Sequence, residues 1–76
     1  MSNQQLKFHT KAFLAAYWPC PTSLHVWLAH YQIPVEKAAL FKQFARGSIP
    51  ASQFAIMLAL LELEHGRPVS LAPYLK

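Results

Sequence analysis

Few side chains in this chain are able to perform acid–base chemistry. The sequence contains no aspartate, so Glu36, Glu62 and Glu64 are the only carboxylates available as a general acid or base. Glu62 and Glu64 lie two residues apart in a predicted helix, and side chains at that spacing do not face each other. We therefore do not expect a catalytic carboxylate pair.

The histidines, the cysteine and the glycines also lack the spacing of a known type of site. His25 and His30 are five residues apart and diverge around a helix, which disfavours a metal site. Cys20 stands between two prolines with no adjacent base, so an incidental thiol is favoured over a nucleophile. Gly47 and Gly66 are the only glycines and form no phosphate-binding loop. The sequence predicts a binding module that is not an enzyme and needs no metal or cofactor.

The charge balance indicates what this module binds. Seven Lys and Arg residues against three acids give a formal charge of +4. Such a charge favours binding to phosphate backbones or to an acidic protein surface. The first residues are polar, and the longest apolar run, Phe54 to Leu61, is far shorter than the roughly 18–20 residues of a membrane span. We expect a cytoplasmic location, which also suits a single free thiol.

The length and apolar content predict that the chain associates with a second copy. A domain of 76 residues buries only about 60% of the surface that its unfolded chain exposes. One cysteine cannot form an internal disulfide that would supplement this small core. In addition, 54% of the residues are apolar and only 13% are charged, which is more apolar than an average soluble domain.

Prolines and glycines divide the chain into four predicted helices. These run from Gln4 to Tyr17, from a cap at Thr22 or Ser23 to about Tyr31, from near Pro34 to Gly47, and from about Pro50 to Gly66. The first helix ends at "WPCP", because proline cannot donate the next backbone hydrogen bond. The tail that follows has no helical period, and Leu71, Tyr74 and Leu75 are predicted to anchor an extended segment.

The fourth predicted helix contains "FAIMLALLEL", which is apolar on all sides. A surface helix usually has a polar face, so we expect one face to enter the core and the other to meet a second copy. The predicted dimer interface consists of Phe54, Met57, Leu58 and Leu61. A charged residue at Leu58 or Leu61 is expected to abolish the dimer.

Two short helices, a third that ends in "FARGSIP", and a long apolar helix follow the order of a helix-turn-helix domain. Residues 24–66 resemble the small Cro and phage-repressor type regulators, whose recognition helix ends in an aromatic residue, two polar residues and a glycine before "IP". Phe44 stands where tryptophan is usual, and Gln32 where the turn usually carries glycine. The segment between them is about three residues longer than usual. The resemblance implies that residues 1–76 form a single all-α, four-helix, helix-turn-helix-like domain with an extended C-terminal tail. It also implies a homodimeric, phage- or mobile-element-encoded protein that binds DNA to control transcription.

In that family the third helix enters the major groove. The resemblance implies that the donors to DNA are Lys37, Lys42, Gln43 and Arg46 on the exposed face of this helix and Ser48 at its end. Lys7 and Lys11 are candidate contacts to the DNA backbone. Glu36, near the start of the helix, repels phosphate unless it reads a cytosine amino group.

The segment "RGSIPASQFAIMLALLELEHGRPVSLAPYL" is also similar to a second group of proteins. These are compact helix-turn-helix-like dimers from Pseudomonas phages that inhibit a host transcription factor, as the quorum-sensing anti-activators do, or a motor ATPase. The alternative function is therefore inhibition of a host protein. Trp27 and Tyr31 are the predicted protein-binding residues, with Trp18 and Tyr74 as further aromatics of the kind enriched at interfaces.

Overall fold

The computed structural model describes residues 8–75, which form four α-helices and one turn of 3₁₀ helix. Helix α1 spans Thr10–Tyr17, α2 Pro21–His30, α3 Lys37–Arg46 and α4 Ala51–His65, and the 3₁₀ turn spans Ala72–Tyr74. Within residues 8–75 the only β pairing is an isolated bridge between Phe8 and Leu75. The predicted all-α class with four helices is confirmed.

Helix α1 begins later than predicted. Phe8 and His9 are not helical: Phe8 forms the bridge to Leu75, and the His9 N–H donates to the Tyr74 carbonyl at 2.7 Å. The backbone of Phe8 and His9 therefore pairs with the tail and not with a longer α1. Residues Gln4–Lys7 of the predicted helix lie outside the described residues, as does the candidate DNA contact Lys7.

The "WPCP" segment breaks the chain as predicted. Trp18 is extended (φ −134°, ψ 121°), and α2 starts at Pro21, where the missing proline N–H would have had no partner within the helix. The prediction that Thr22 or Ser23 caps this helix was wrong, because Cys20 is the N-cap residue and no side chain caps the helix.

Helix α2 ends in a turn that places Gln32 in the left-handed region, at φ +60°. The Gln32 N–H bonds to the Ala29 carbonyl and the Ile33 N–H to the Leu28 carbonyl, both at 2.9 Å. This is the Schellman pattern, in which two otherwise unpaired helix carbonyls find donors. A residue with a Cβ is strained in this conformation, which glycine adopts freely.

We expect the Gln32→Gly variant to be more stable than the wild-type protein, by about 0.5–1 kcal/mol, because the strain exceeds the entropy that glycine gains on unfolding. The measurement is the urea midpoint of unfolding, followed by circular dichroism. Gln32→Ala is the control, since it removes the same side-chain amide but keeps Cβ. An equal increase in the urea midpoint of both variants would mean that the glutamine side chain, and not the left-handed backbone, causes the strain.

Helices α3 and α4 end at Gly47 and Gly66, as predicted, and both glycines are left-handed, with φ of +68° and +69°. Gly47 has a second constraint, because a Cβ there would lie 2.8 Å from Cγ of Lys11. Lys11 therefore lies across the end of α3. Its Cε is 3.4 Å from the same point, which places its ammonium group beside the negative end of the helix dipole.

The core consists of side chains from all four helices and from the break after α1. Its buried apolar members are Phe13, Leu14, Trp18, Leu24, Leu28, Leu40, Met57 and Leu61. The Phe13 ring is the centre of an aromatic cluster, with ring centroids 5.2–6.0 Å from those of its neighbours Phe8, Tyr17, Trp18, Phe54 and Tyr74. Such pairs stabilise the core beyond their buried area.

The tail packs on this core. Leu71 and Tyr74 are half-buried against it, as predicted for anchors, while Leu75 is 46% exposed and makes the bridge to Phe8. The tail is not fully extended, because Ala72–Tyr74 forms the 3₁₀ turn.

No single helix within residues 8–75 has the length and apolar character needed to cross a membrane. Helices α3 and α4 together meet these criteria but are bent by 95° relative to each other.

Candidate binding surfaces

The outward face of α3, which we call the α3 face, combines apolar and basic side chains. Its exposed members are Lys37, Ala38, Phe41, Lys42, Ala45 and Arg46. Phe41 is 49% exposed and lies in the middle, since residues four apart are neighbours on a helix. The basic side chains flank this apolar centre. Three of the five predicted DNA-binding residues, Lys37, Lys42 and Arg46, are exposed, and Lys42 and Arg46, four residues apart, are neighbours on one side of the helix. Lys37 lies at the opposite edge of the exposed surface of α3, and Ser48 is exposed just beyond the helix.

The prediction that Gln43 is an exposed donor was wrong. Gln43 is 8% exposed and forms two reciprocal amide hydrogen bonds of 2.8 Å with Gln53 of α4. The Gln53 amide also lies 3.5 Å from the Met57 sulfur. A buried amide must find partners of matched geometry, and here each glutamine supplies them to the other. Gln43 therefore joins α3 to α4 and is not available to a ligand.

Lys11 extends the basic surface from α1 to the end of α3. Its side chain lies against Gly47, the residue between Arg46 and Ser48 in the sequence. By contrast, two of the three acids accept hydrogen bonds near the end of α4: Glu62 from the Val69 N–H at 3.3 Å, and Glu64 from two aromatic side chains. Four of the five described Lys and Arg residues lie on or beside α3, and Arg67 follows α4, while the third acid, Glu36, is the N-cap residue of α3.

The two aromatic side chains that bind Glu64 are Trp27 and Tyr31, the predicted protein-binding residues. The Trp27 indole N–H donates to Glu64 Oε2 at 2.9 Å, and the Tyr31 hydroxyl donates to the same oxygen. Both side chains are half-buried, and Trp27 also packs on Trp18, with ring centroids 5.1 Å apart. These residues therefore join α2 to α4. Trp18 itself is buried and offers nothing to a partner.

The pKa of the Tyr31 hydroxyl is raised above its ordinary value, chiefly because the protonated hydroxyl donates a hydrogen bond to the Glu64 carboxylate, and further because of burial and the negative charge of Glu64. The raised pKa means that this contact stabilises the fold fully below the pKa of the unfolded tyrosine. The stabilisation is lost as the pH rises through the folded-state pKa.

In Glu64→Gln we expect the Tyr31 pKa to return towards about 10, because the charged acceptor is gone. The measurement is a titration of tyrosine absorbance at alkaline pH. Glu62→Gln is the matched control. It removes the same charge from a position two residues earlier in α4, and Glu62 does not bind Tyr31. A Tyr31 titration that is identical in both variants would contradict the role assigned to Glu64.

The predicted dimer residues on α4 face two ways. Met57 is fully buried and Leu61 is 3% exposed, so both belong to the protomer's own core, and Phe54 and Leu58 are half-buried against that core. The expectation that Met57 and Leu61 form an intermolecular seam was therefore wrong. The exposed apolar side chains of α4 are instead Ile56, at 40%, and Leu63, at 72%.

The remaining reactive groups do not converge. Residues 8–75 contain no group of three His, Cys, Asp or Glu side chains placed to hold a metal ion. Cys20 is exposed, and the Ser23 hydroxyl, 3.4 Å from its sulfur, lowers the pKa of the thiol. A shallow cleft of about 320 Å³ lies between α1, the end of α4 and the tail, where Tyr17, His65 and Arg67 line it.

Comparison with protein-family models, curated proteins and solved structures finds no match to this chain. The class that the fold itself defines is a small all-helical domain. Proposals about its function therefore rest on the α3 face and the chemistry of its side chains.

Proposed function

We propose that this protein is a small helix-turn-helix-type regulator that binds DNA through α3 and thereby controls transcription. The observation that carries the proposal is the basic set around the exposed part of α3: Lys42 and Arg46 lie one turn apart, Lys37 lies at the opposite edge, and Lys11 lies beside the end of the helix. Lysine and arginine on one helix face neutralise phosphates and release counterions, which supplies most of the affinity of such proteins.

The backbone around α3 supports this proposal. Helix α2 packs directly on α3, as the two helices of this motif do. Gln32 adopts the left-handed conformation at the position where the resembling family carries glycine. Gly47 is left-handed before Ile49 and Pro50, as the "FARGSIP" ending requires.

The α3 face would use different side chains for the two parts of DNA recognition. The basic residues contact phosphates, which position the protein without reading sequence. Ala38 and Phe41 could contact thymine methyl groups, and Lys37 is a donor for guanine near the start of the helix. With Gln43 buried, the face has no side-chain amide for adenine. We therefore expect modest sequence specificity.

The test is the binding of fluorescently labelled duplex DNA of random sequence, measured by anisotropy at low and at physiological salt. The proposal predicts clear binding at low salt and a steep loss of affinity as salt rises, because each phosphate contact releases counterions. Absence of binding at low salt would overturn it.

A second candidate is inhibition of another protein, such as a host regulator, and it rests on the apolar centre of the same face. Phe41 at 49% exposure, between exposed Ala38 and Ala45, resembles an interface core with a charged rim, where an aromatic anchor carries much of the binding energy. The partner would present an acidic surface. Phe41→Ala separates the candidates: it should abolish capture of a protein partner while leaving the salt dependence of DNA binding unchanged.

A further inference from the structure

The cleft of about 320 Å³ between the end of α1, the end of α4 and the tail is lined by no residue of α3. We call it the tail cleft. Three aromatic residues line it, Tyr17, His65 and Tyr74, together with two prolines, Pro68 and Pro73. Sites for small molecules typically have volumes of about 300–1,000 Å³ and walls that are mostly apolar or aromatic. The tail cleft therefore has the size and the wall composition that suit a ligand with a single ring.

The walls of the tail cleft are held in place by the fold itself. The rings of Tyr17 and Tyr74 both pack on the buried Phe13 ring, with centroids 5.2 and 5.6 Å from it. The His65 ring lies edge-on to Tyr17, with centroids 6.3 Å apart. On the tail side, the Tyr74 carbonyl accepts the His9 N–H at 2.7 Å. Because these contacts exist without a ligand, binding requires little further ordering of the protein.

The charge of the tail cleft is positive. Arg67 is the only Lys or Arg among the described residues that line it, and no carboxylate lines it. The two acids near the end of α4 are engaged elsewhere: Glu62 accepts the Val69 N–H at 3.3 Å, and Glu64 accepts hydrogen bonds from two aromatic side chains. A guanidinium presents a planar fork of donors that matches the two oxygens of a carboxylate. Ser70 is a further exposed donor in the lining. One cation indicates a ligand with one negative charge.

We propose that the tail cleft is a binding site for a small aromatic carboxylate. The carboxylate pairs with Arg67, and the ring packs against the aromatic and proline residues of the walls, where edge-to-face and offset contacts are favourable. The proposal does not rest on DNA binding, because the residues of the α3 face take no part in the site.

The experiment is a titration of the full chain with benzoate and with the longer phenylacetate at neutral pH. Nitrogen–proton correlation NMR spectra report which backbone amides respond. The signals of Arg67, Val69 and Ser70 should shift saturably for at least one probe, with a dissociation constant of about 1 mM or lower for a ligand of this size. Benzamide is the control ligand, because it keeps the ring and the shape of benzoate but has no charge. It should bind at least ~10-fold more weakly than benzoate.

A matched pair of variants tests the role of the guanidinium. Arg67→Gln should raise the dissociation constant of the bound probe at least ~10-fold, because the charged partner of the carboxylate is lost. Arg46→Gln removes the same charge from an exposed position on α3 and should leave the dissociation constant unchanged. Arg67 is exposed, so circular dichroism should show the same helix content in both variants and in the wild-type protein.

Any of four results would overturn the proposal. Neither probe shifts the signals of Arg67, Val69 and Ser70 saturably, or benzamide binds as tightly as benzoate. The shifts are centred on Lys42 and Arg46, which would indicate attraction of an anion to the basic surface in general. Arg67→Gln and Arg46→Gln change the dissociation constant equally. None of these results involves DNA, so the tail cleft proposal and the DNA proposal fail separately.

Discussion

Replacing Lys42 and Arg46 together by alanine should reduce the affinity for duplex DNA by about 10- to 100-fold at low salt. The slope of log affinity against log salt should decrease in magnitude by about two, one for each lost phosphate contact. Both side chains are exposed on α3, so the fold should be unaffected. The measurement is fluorescence anisotropy over a series of salt concentrations.

A matched pair of single variants provides the control. Arg46→Ala and Arg67→Ala each remove one exposed arginine near the end of a helix, but only Arg46 belongs to the α3 face. The general loss of positive charge is the same in both. If Arg67→Ala weakens DNA binding as much as Arg46→Ala does, the affinity reflects net charge alone and the assignment of α3 as the DNA-binding helix is wrong.

The second large effect is expected from Leu61→Asp, which should unfold the protein. Leu61 is 3% exposed and packs in the core with Met57. A large-to-small change in a core costs about 2–5 kcal/mol, and burying an unpaired carboxylate adds to this. The free energy of unfolding of a domain of this size is only about 5 kcal/mol or slightly more. Loss of the helical circular dichroism signal at room temperature is the expected result.

Leu63→Asp, two residues further along the same helix, is the comparison. Leu63 is 72% exposed, so this variant should keep its helical signal. The sequence-based expectation was that a charge at Leu58 or Leu61 separates two folded protomers. A folded, monomeric Leu61→Asp protein would support that expectation and would contradict the burial of Leu61 in the protomer core.

The positions where helices stop could be predicted from the sequence because the signals are local. "WPCP" ends α1, and Gly47 and Gly66 end α3 and α4, since proline lacks a donor and glycine tolerates a left-handed backbone. The start of α1 could not be predicted in the same way. Phe8 and His9 have no local reason to leave the helix, and their partners, Tyr74 and Leu75, lie at the other end of the described chain.

The candidate site shows the same division. The exposure of the basic residues of α3, with Lys42 and Arg46 on one side of the helix, follows from the helical period, which the sequence contains. Gln43 and Gln53 are polar residues that a sequence pattern assigns to the surface. Their burial depends on each finding the other across two helices, and no pattern within one helix reports such a partner.

Glu64 is a further case. Nothing in its surroundings along the chain distinguishes it from Glu62, yet it holds Trp27 and Tyr31 from 33 or more residues away. These two aromatic residues, which the sequence analysis predicted to bind a protein partner, instead connect α2 to α4. Phe41 is a large apolar residue, which a helical pattern places on the buried side, yet it is 49% exposed on the α3 face.

The sequence by itself determined that the chain is helical and basic, where its helices end, and that α4 is apolar on all sides. Only the tertiary structure decided which side of α4 enters the core, because a helix that is apolar all round contains no internal signal for its orientation. That choice was made by the partners of Gln53 and Glu64, whose hydrogen bonds to α3 and α2 fix the rotation of α4. It leaves Ile56, Ala59 and Leu63 facing outward.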